Sequence, residues 1–202
     1  DAPEGHRLRR FVTLMNPLSV DQSVMRTSLI PGIAGAARTN ISYGERELKL
    51  FEWGKIFTGS SGPLPDETTT ITGLMAGLRH RTEWYEKERP VDFFDAKGAV
   101  ETLLESVGAV GFVFTETSDV PGFDSGPAAR ISLAGEAIGT VGKASGKVSE
   151  FCGLKDGDIY LFELLAEPLL RCWEKPPVFR SYPKFPAVYR DLSIIVDQGV
   201  PC

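Results

Sequence analysis

The sequence predicts an α+β fold in which helices flank a largely antiparallel sheet. Short runs rich in β-branched and aromatic residues are separated by turns rich in glycine and proline, a pattern typical of strands joined by hairpins. A few stretches with apolar residues at helical spacing stand among these runs. A few helices among several hairpin-joined strands imply a mixed α+β domain.

The amino-terminal part is predicted to hold one strand and one helix. A short apolar run at residues 10–15 predicts a strand, which Asn16-Pro17 ends because the residue before a proline is displaced from the helical region. From Ser23, apolar residues recur near helical spacing, with Ser23 as the N-cap and Gly44 as the stop. The Pro31-Gly32 pair weakens this helix and could divide it.

Residues 48–78 are predicted to form a hairpin with a long loop. Residues 48–57 alternate enough to predict a strand, and residues 68–78 are dense in residue types that favour strands. The segment between them, residues 59–66, is rich in glycine, serine and proline and therefore predicts a loop.

The clearest helix signal in the chain begins at Asp92. Asp92 and Asp95 stand three residues apart before a series of apolar residues at helical spacing, and Gly108 ends that series. Aspartates in such positions accept hydrogen bonds from the free amides of a first helical turn, so capping explains the pair better than acid–base catalysis does.

The rest of the chain is predicted to contain short strands, a short helix and a linker. The predicted strands are residues 110–114, 128–133, 137–141 and 159–165. A short helix through Cys172 follows the last strand, and a proline-rich linker at residues 176–183 leads to a strand-like run at residues 188–196. The predicted organisation is a core domain at residues 1–175, the linker, and the start of a second, truncated domain at residues 184–202.

Composition indicates a globular protein with an acidic balance. The chain has 202 residues, of which 42% are hydrophobic, and its formal net charge is -5. Binding nucleic acid through its phosphates needs clustered lysine and arginine, so this charge argues against DNA as a partner and against an RNA-binding module. No apolar run approaches the roughly 20 residues that span a bilayer, so no membrane contact is expected. The three cysteines are widely spaced and outside any metal-binding pattern, which favours a reducing, cytoplasmic location.

Motifs that could carry catalysis or ligand binding fail on inspection. The glycine-rich residues 135–146 lack the spacing of a phosphate-binding loop and predict a hairpin turn instead. The two histidines, His6 and His80, support neither a metal-binding pair nor a catalytic triad. The acids Glu116, Asp119 and Asp124 are better explained as part of a solvated loop than as a cation site. No catalytic, cofactor-binding or metal-binding residue is therefore assigned.

Four ordered blocks of sequence resemble the beta subunit of bacterial phenylalanyl-tRNA synthetase. The first block includes Asn-Pro-Leu-Ser at residue 16 and Met-Arg-Thr-Ser-Leu-Ile-Pro-Gly at residue 25. Phe-Glu-Trp-Gly-Lys follows at residue 51, Val-Asp-Phe-Phe-Asp-Ala-Lys-Gly at residue 91, and Lys-Phe-Pro-Ala at residue 184. The candidates for structural or interface roles in these blocks are Asn16, Pro17, Arg26, Thr27, Ser28, Pro31, Glu52, Gly54, Asp92, Phe94, Asp95, Lys97 and Gly98.

This resemblance implies an antiparallel core like that of class II aminoacyl-tRNA synthetases, but one that does not perform the chemistry. In the family the working site lies in the alpha subunit, and the beta core is a degenerate copy of it. Thr58 stands where the second class motif places an ATP-binding arginine, and residues 160–168 lack the arginine and glycines of the third motif. Without a guanidinium, bidentate contact with a phosphate is lost. The Arg-x-Glu sequence at residues 81–83 follows the hairpin and is interpreted as a coincidence.

The resemblance also implies partners and cofactors for the whole enzyme. The core is expected to pack against the alpha subunit in an assembly of two alpha and two beta subunits. That assembly attaches phenylalanine to its tRNA with ATP and magnesium, and neither cofactor is expected in this fragment. Contacts with tRNA are expected mainly from domains outside this sequence, and residues 184–196 resemble the first strand of a ferredoxin-like anticodon-binding domain. The alternative is a free-standing small-molecule or nucleotide-binding protein on the same fold.

Overall fold

A six-stranded antiparallel sheet forms the framework of the computed structural model, which describes residues 2–60, 62, 64–79, 84, 87–154, 157–173, 190, 191 and 193. The strands are β1 Leu48–Thr58, β2 Asp66–Ala76, β3 Phe112–Glu116, β4 Phe123–Leu133, β5 Glu136–Ala144 and β6 Ile159–Leu165. The helices are α1 Ile30–Ser42, α2 Phe93–Ser106, α3 Gly146–Cys152 and α4 Ala166–Trp173, with 3-10 turns at Arg7–Arg9 and Val20–Gln22. The strand order is β1-β2-β6-β5-β4-β3. The predicted α+β class is confirmed.

Helices pack on both sides of this sheet. We call the side that packs against α2 and α4 the back face, where Val100 and Leu169 lie in the core. The other side is the front face, where α1 and α3 pack through Ile33 and Cys152. Strands β2, β4, β5 and β6 contribute to both cores, because successive residues of a strand point to opposite faces. The front-face helices leave part of the sheet uncovered, and the polar side chains described below lie there.

Helix α1 begins later than the sequence predicts. Its first residue is Ile30, so Ser23 is not its N-cap. Pro31 lies in the first turn, where a missing N–H leaves no hydrogen bond unmade, so this proline opens the helix and does not divide it. The predicted stop is confirmed, because Gly44 follows the C-cap residue Tyr43 with φ of +93°.

The predicted strand at residues 10–15 is wrong. Within this run Thr13 forms an isolated antiparallel bridge with Val24, and flanking backbone hydrogen bonds close residues 12–25 into a projecting loop. We call residues 12–25 the arm. The apolar residues that suggested a buried strand are largely exposed in it, since no sheet strand lies beside them to complete a ladder.

The remaining strands form where the sequence predicts them, although β3 starts two residues later and β4 five residues earlier than the predicted bounds. The β1–β2 hairpin pairs Thr58 with Asp66 around the predicted loop. The β4–β5 hairpin turns at Ala134 and Gly135, which both have positive φ, as two-residue hairpin turns require. The glycine-rich stretch is therefore a hairpin and not a phosphate cradle. Helix α3 was not predicted, because it is two turns long and opens with a glycine.

Some predicted features lie outside the described residues. They are the linker at residues 176–183, the Arg-x-Glu sequence at residues 81–83, His80, and nearly all of the predicted second domain at residues 184–202. Among the helices that the structure describes, none combines the length and the apolar composition needed to cross a bilayer.

Candidate functional site

A row of polar side chains crosses the front face through all six strands. The strand register places these residues side by side, one from each strand in sheet order. We call them the polar row: Glu52, Thr72, Glu163, Thr140, Arg130 and Thr115. Two positions further along their strands, Leu50, Leu74 and Leu161 belong to the core under α1. The polar row therefore lies where the helical cover of the front face ends.

Glu163, at the centre of the polar row, holds the start of α1. Its Oε1 accepts hydrogen bonds from the Ser28 hydroxyl at 2.8 Å and from the Leu29 backbone N–H at 3.0 Å. The Ser28 oxygen in turn accepts the N–H of Ile30 at 3.1 Å. A carboxylate at a helix amino terminus satisfies free amides and is favoured by the helix dipole. Glu163 is therefore engaged in anchoring a helix to the sheet.

Arg26 is fastened to the edge strand β1. Its Nε donates to the Lys55 carbonyl at 2.8 Å, and its Nη1 pairs with Glu52 at 2.6 Å. Gly54 makes room for this arrangement, since a Cβ at that position would lie 2.4 Å from the Arg26 Nη2. The structure thus joins Arg26 to Glu52, which follows it by 26 residues, and to Gly54 of the same strand, as one interlocked unit beside the Glu163 anchor.

The Asn16-Pro17 pair lies apart from this unit, at the exposed tip of the arm. Three apolar side chains of the same tip are almost fully exposed, at 93% for Met15, 95% for Leu18 and 87% for Val20. Scattered exposed apolar side chains are normal, but three within six residues form an unpartnered apolar surface.

Asp92 and Asp95 form the predicted cap of α2. Each side chain accepts the backbone N–H of the other at 3.0 Å, which is a capping box. Arg89 donates to both oxygens of Asp95 at 2.7 and 2.9 Å, and Arg79 lies 3.3 Å away. Burial alone would raise the pKa of Asp95, but the Arg89 and Asp92 hydrogen bonds and the two arginine charges together hold this pKa below its ordinary value.

The other motif residues of α2 face outward. Phe94 is 64% exposed. Lys97 pairs with Glu101 and stands 4.6 Å from the Phe114 ring centroid. Gly98 has no atom within 4 Å of the place where a Cβ would stand. Packing within the described chain therefore does not require a glycine at this position.

A cavity of about 350 Å³ lies beside the polar row. The amino-terminal segment forms one wall and is held in place by the Thr27 hydroxyl, which donates to the Leu8 carbonyl at 2.9 Å. The sheet supplies the floor, where Thr70 is 1% exposed. The polar and charged side chains that line it are His6, Arg7, Thr70, Arg130, Thr140 and Glu163.

Sequence reasoning missed the central members of the polar row. Glu163 carried a usable signal, because it is the single acid in the apolar strand Ile159–Leu165. An acid in a central strand needs a partner and so marks a tertiary bond. Arg130 and Thr140 carried no local signal, since only the register of β4 and β5 brings them together.

The two places compared with class II motifs carry no positive charge. Thr58 is the last residue of β1, opposite Asp66, and residues 160–168, in β6 and the first turn of α4, contain no arginine or lysine. Neither a hydroxyl nor a carboxylate can replace a guanidinium that binds a phosphate. In the described parts of the chain, no group of three or more His, Cys, Asp or Glu side chains is placed to hold a metal ion.

The fold defines a class of protein. The solved structure of pyrrolysyl-tRNA synthetase from Desulfitobacterium hafniense matches 83% of this chain and 55% of its own chain, with a TM-score of 0.56 and 16% sequence identity. At that identity the likeness concerns the fold alone. The antiparallel sheet with its flanking helices is thus a class II aminoacyl-tRNA synthetase fold.

Sequence comparison narrows this class to one family. The model of the phenylalanyl tRNA synthetase beta chain CLM domain matches residues 2–166, and the chain belongs to this family. The phenylalanine-tRNA ligase beta subunit of Carboxydothermus hydrogenoformans is 35% identical over 96% of this chain and 24% of its own length. Those of Symbiobacterium thermophilum and Nitrosococcus oceani are each 36% identical, over 96% and 98% of this chain and 22% and 24% of their lengths. The chain spans about a quarter of the length of these relatives.

Proposed function

We propose that this chain is the non-catalytic core of the beta subunit of phenylalanine-tRNA ligase and that it scaffolds the alpha subunit. The complete enzyme would contain two alpha and two beta subunits and would act in the cytoplasm, using ATP and magnesium to attach phenylalanine to its tRNA. Contacts with tRNA would come mainly from other domains. The family membership and the names of the relatives support this proposal.

The observation that carries the non-catalytic part is the internal use of Arg26 and Glu163 on the front face. The guanidinium of Arg26 is engaged by Glu52 and the Lys55 carbonyl, and the carboxylate of Glu163 anchors α1. Adenylate formation needs preorganised positive charge that is free to meet phosphates. A front face with these groups already bonded, and with Thr58 at the end of β1, serves the fold better than it serves ATP.

The exposed motif residues support the scaffolding part. Covering a large apolar side chain is worth about 1.5–3 kcal/mol, so burial of Met15, Leu18 and Val20 by a partner would supply a substantial association energy. On α2, Gly98 beside the exposed Phe94 leaves room for a close approach. A glycine inside a helix lowers stability by about 1 kcal/mol relative to alanine. A partner that packs closely against this position would explain why a glycine stands here.

The proposal is tested by capture of the alpha subunit and by ligand titration. The chain should retain the alpha subunit in a pull-down, and Leu18→Asp should weaken that capture at least tenfold because it places a charge in an apolar contact. Leu64→Asp is the matched control, since Leu64 is 77% exposed but lies outside the arm. Titration with ATP-magnesium and phenylalanine in the presence of labelled pyrophosphate should give no exchange of pyrophosphate into ATP, because the chain is expected not to form the adenylate.

Three results would each contradict a part of the proposal. Exchange of pyrophosphate into ATP would show that the front face is a working site. Equal capture of the alpha subunit by the wild-type chain and Leu18→Asp would remove the arm from the interface, and a complete lack of capture would remove the scaffolding role.

A further inference from the structure

The cavity beside the polar row is a cationic spot on an acidic chain. Its ionisable lining residues are Arg7, Arg130, His6 and Glu163, whereas the whole chain has a net charge of -5. The single carboxylate among them already accepts two hydrogen bonds at the start of α1. Two guanidiniums in a concave, partly apolar setting raise the local concentration of anions.

Both arginines keep their donors free for a ligand. Within the residues that the structure describes, neither Arg7 nor Arg130 makes an ion pair or a side-chain hydrogen bond. Arg130 stands on β4, an interior strand, between Thr115 and Thr140 of the neighbouring strands. A guanidinium offers five N–H donors in a fork that matches a carboxylate or a phosphate, and the sheet fixes the backbone of Arg130 beside the cavity.

Neutral donors surround the same space. Thr140 brings a hydroxyl group to its lining from β5, whereas the Thr70 hydroxyl donates to the Gly54 carbonyl at 3.5 Å. The Nδ1 of His6 accepts the N–H of Leu8 at 3.3 Å, which in the neutral ring leaves the proton on Nε2 as a donor. The lining thus combines two fixed positive charges with groups that can donate hydrogen bonds, which is the composition that an anion requires.

We infer that this cavity binds a small molecule through its carboxylate or phosphate group, with Arg130 and Arg7 as the charged contacts. The volume of about 350 Å³ lies near the lower end of the roughly 300–1,000 Å³ found for ligand pockets, which fits a small molecule and not a polymer. This inference goes beyond the scaffolding role and does not rest on it, because an anion site needs no adenylate chemistry and no alpha subunit.

The test is a titration of the chain with inorganic phosphate, and separately with acetate, at constant ionic strength, followed by amide chemical shifts in NMR spectra. Saturable shifts are expected at Arg130 and Thr140. Arg130→Gln should weaken phosphate binding roughly tenfold or more, because it removes a charge-assisted contact. Arg9→Gln is the matched control, since it makes the same charge change and lies in the amino-terminal turn that carries Arg7, but Arg9 does not line this cavity.

The two ligands distinguish the sources of the anion. Tighter binding of phosphate than acetate assigns the site to phosphorylated molecules, and the reverse order assigns it to carboxylates. Absence of saturable shifts, or equal weakening by Arg130→Gln and Arg9→Gln, would overturn the inference and leave only general attraction between charges. Neither of these negative results touches the capture of the alpha subunit, so the two proposals fail independently.

Discussion

Replacement of Glu163 by alanine tests whether this acid is a structural anchor. The substitution removes the acceptor of two hydrogen bonds, from Ser28 and from the N–H of Leu29. A hydrogen bond to a charged group contributes about 1.5–3 kcal/mol, and a half-buried carboxylate offsets part of this through its own desolvation. We therefore expect Glu163→Ala to lower the free energy of unfolding by about 2–3 kcal/mol. Glu163→Gln keeps an acceptor oxygen and should lose only about 1 kcal/mol.

The assay is urea unfolding of the 202-residue chain, followed by circular dichroism at neutral pH. Glu105→Ala provides the control, because Glu105 is exposed near the carboxyl end of α2 and its replacement should change stability by less than about 0.5 kcal/mol. Hydrogen exchange at Leu29 and Ile30 should accelerate in Glu163→Ala if the start of α1 is released. Unfolding of Glu163→Ala at the wild-type urea midpoint, with the same slope, would refute the anchoring role.

Three further substitutions test the motif residues. Asp95→Asn should lower the free energy of unfolding by about 2 kcal/mol at pH 7. The pKa of Asp95 in the folded chain lies below the unfolded value of about 3.9, so its stabilising contribution is complete above that value and is lost as the pH falls through the folded pKa. The unfolding curves of variant and wild type should therefore converge toward pH 2. Gly54→Ala should cost about 1 kcal/mol in the wild type and clearly less in an Arg26→Ala background, where the Leu29 Cδ2, 3.3 Å from the new Cβ, is the close contact that remains. Additivity in a double-mutant cycle would contradict the interlocked unit. Gly98→Ala should stabilise the isolated chain by about 0.5–1 kcal/mol in thermal unfolding, and a destabilised variant would mean that an internal contact fills this space.

The strands and α2 were predictable because their signals are local. The strand Ile159–Leu165 was predicted with its bounds, since a continuous apolar run is enough to mark a buried central strand. The Asp92 cap was predictable because both acids bond within one turn of the helix. The resemblance to the beta subunit family was likewise confirmed by the match over residues 2–166.

The errors arose where tertiary contacts replace local signals. The first amides of α1 are bound by Glu163, which is over 130 residues away in sequence, so Ser23, which stands just before the helical pattern, was the wrong choice of N-cap. The arm has an apolar composition without a core to bury it, so its pattern predicted a strand that is not there. The polar row depends on the pairing of six strands, and pairing cannot be derived from any single stretch of sequence.

The outer edge of β1 is the part of the isolated chain at which aggregation is expected to begin. The amino-terminal segment seals one end of this edge, where the Phe57 N–H donates to the Arg26 carbonyl at 2.8 Å. Strand alternation points the backbone groups of Phe51 and Trp53 toward the same edge, and their side chains are 79% and 53% exposed. Among the residues that the structure describes, none pairs with this part of the edge, and an exposed strand edge flanked by aromatic rings is a template for intermolecular pairing. Aggregation at high protein concentration is therefore expected to begin at β1, and a lysine in place of Phe51 should delay it.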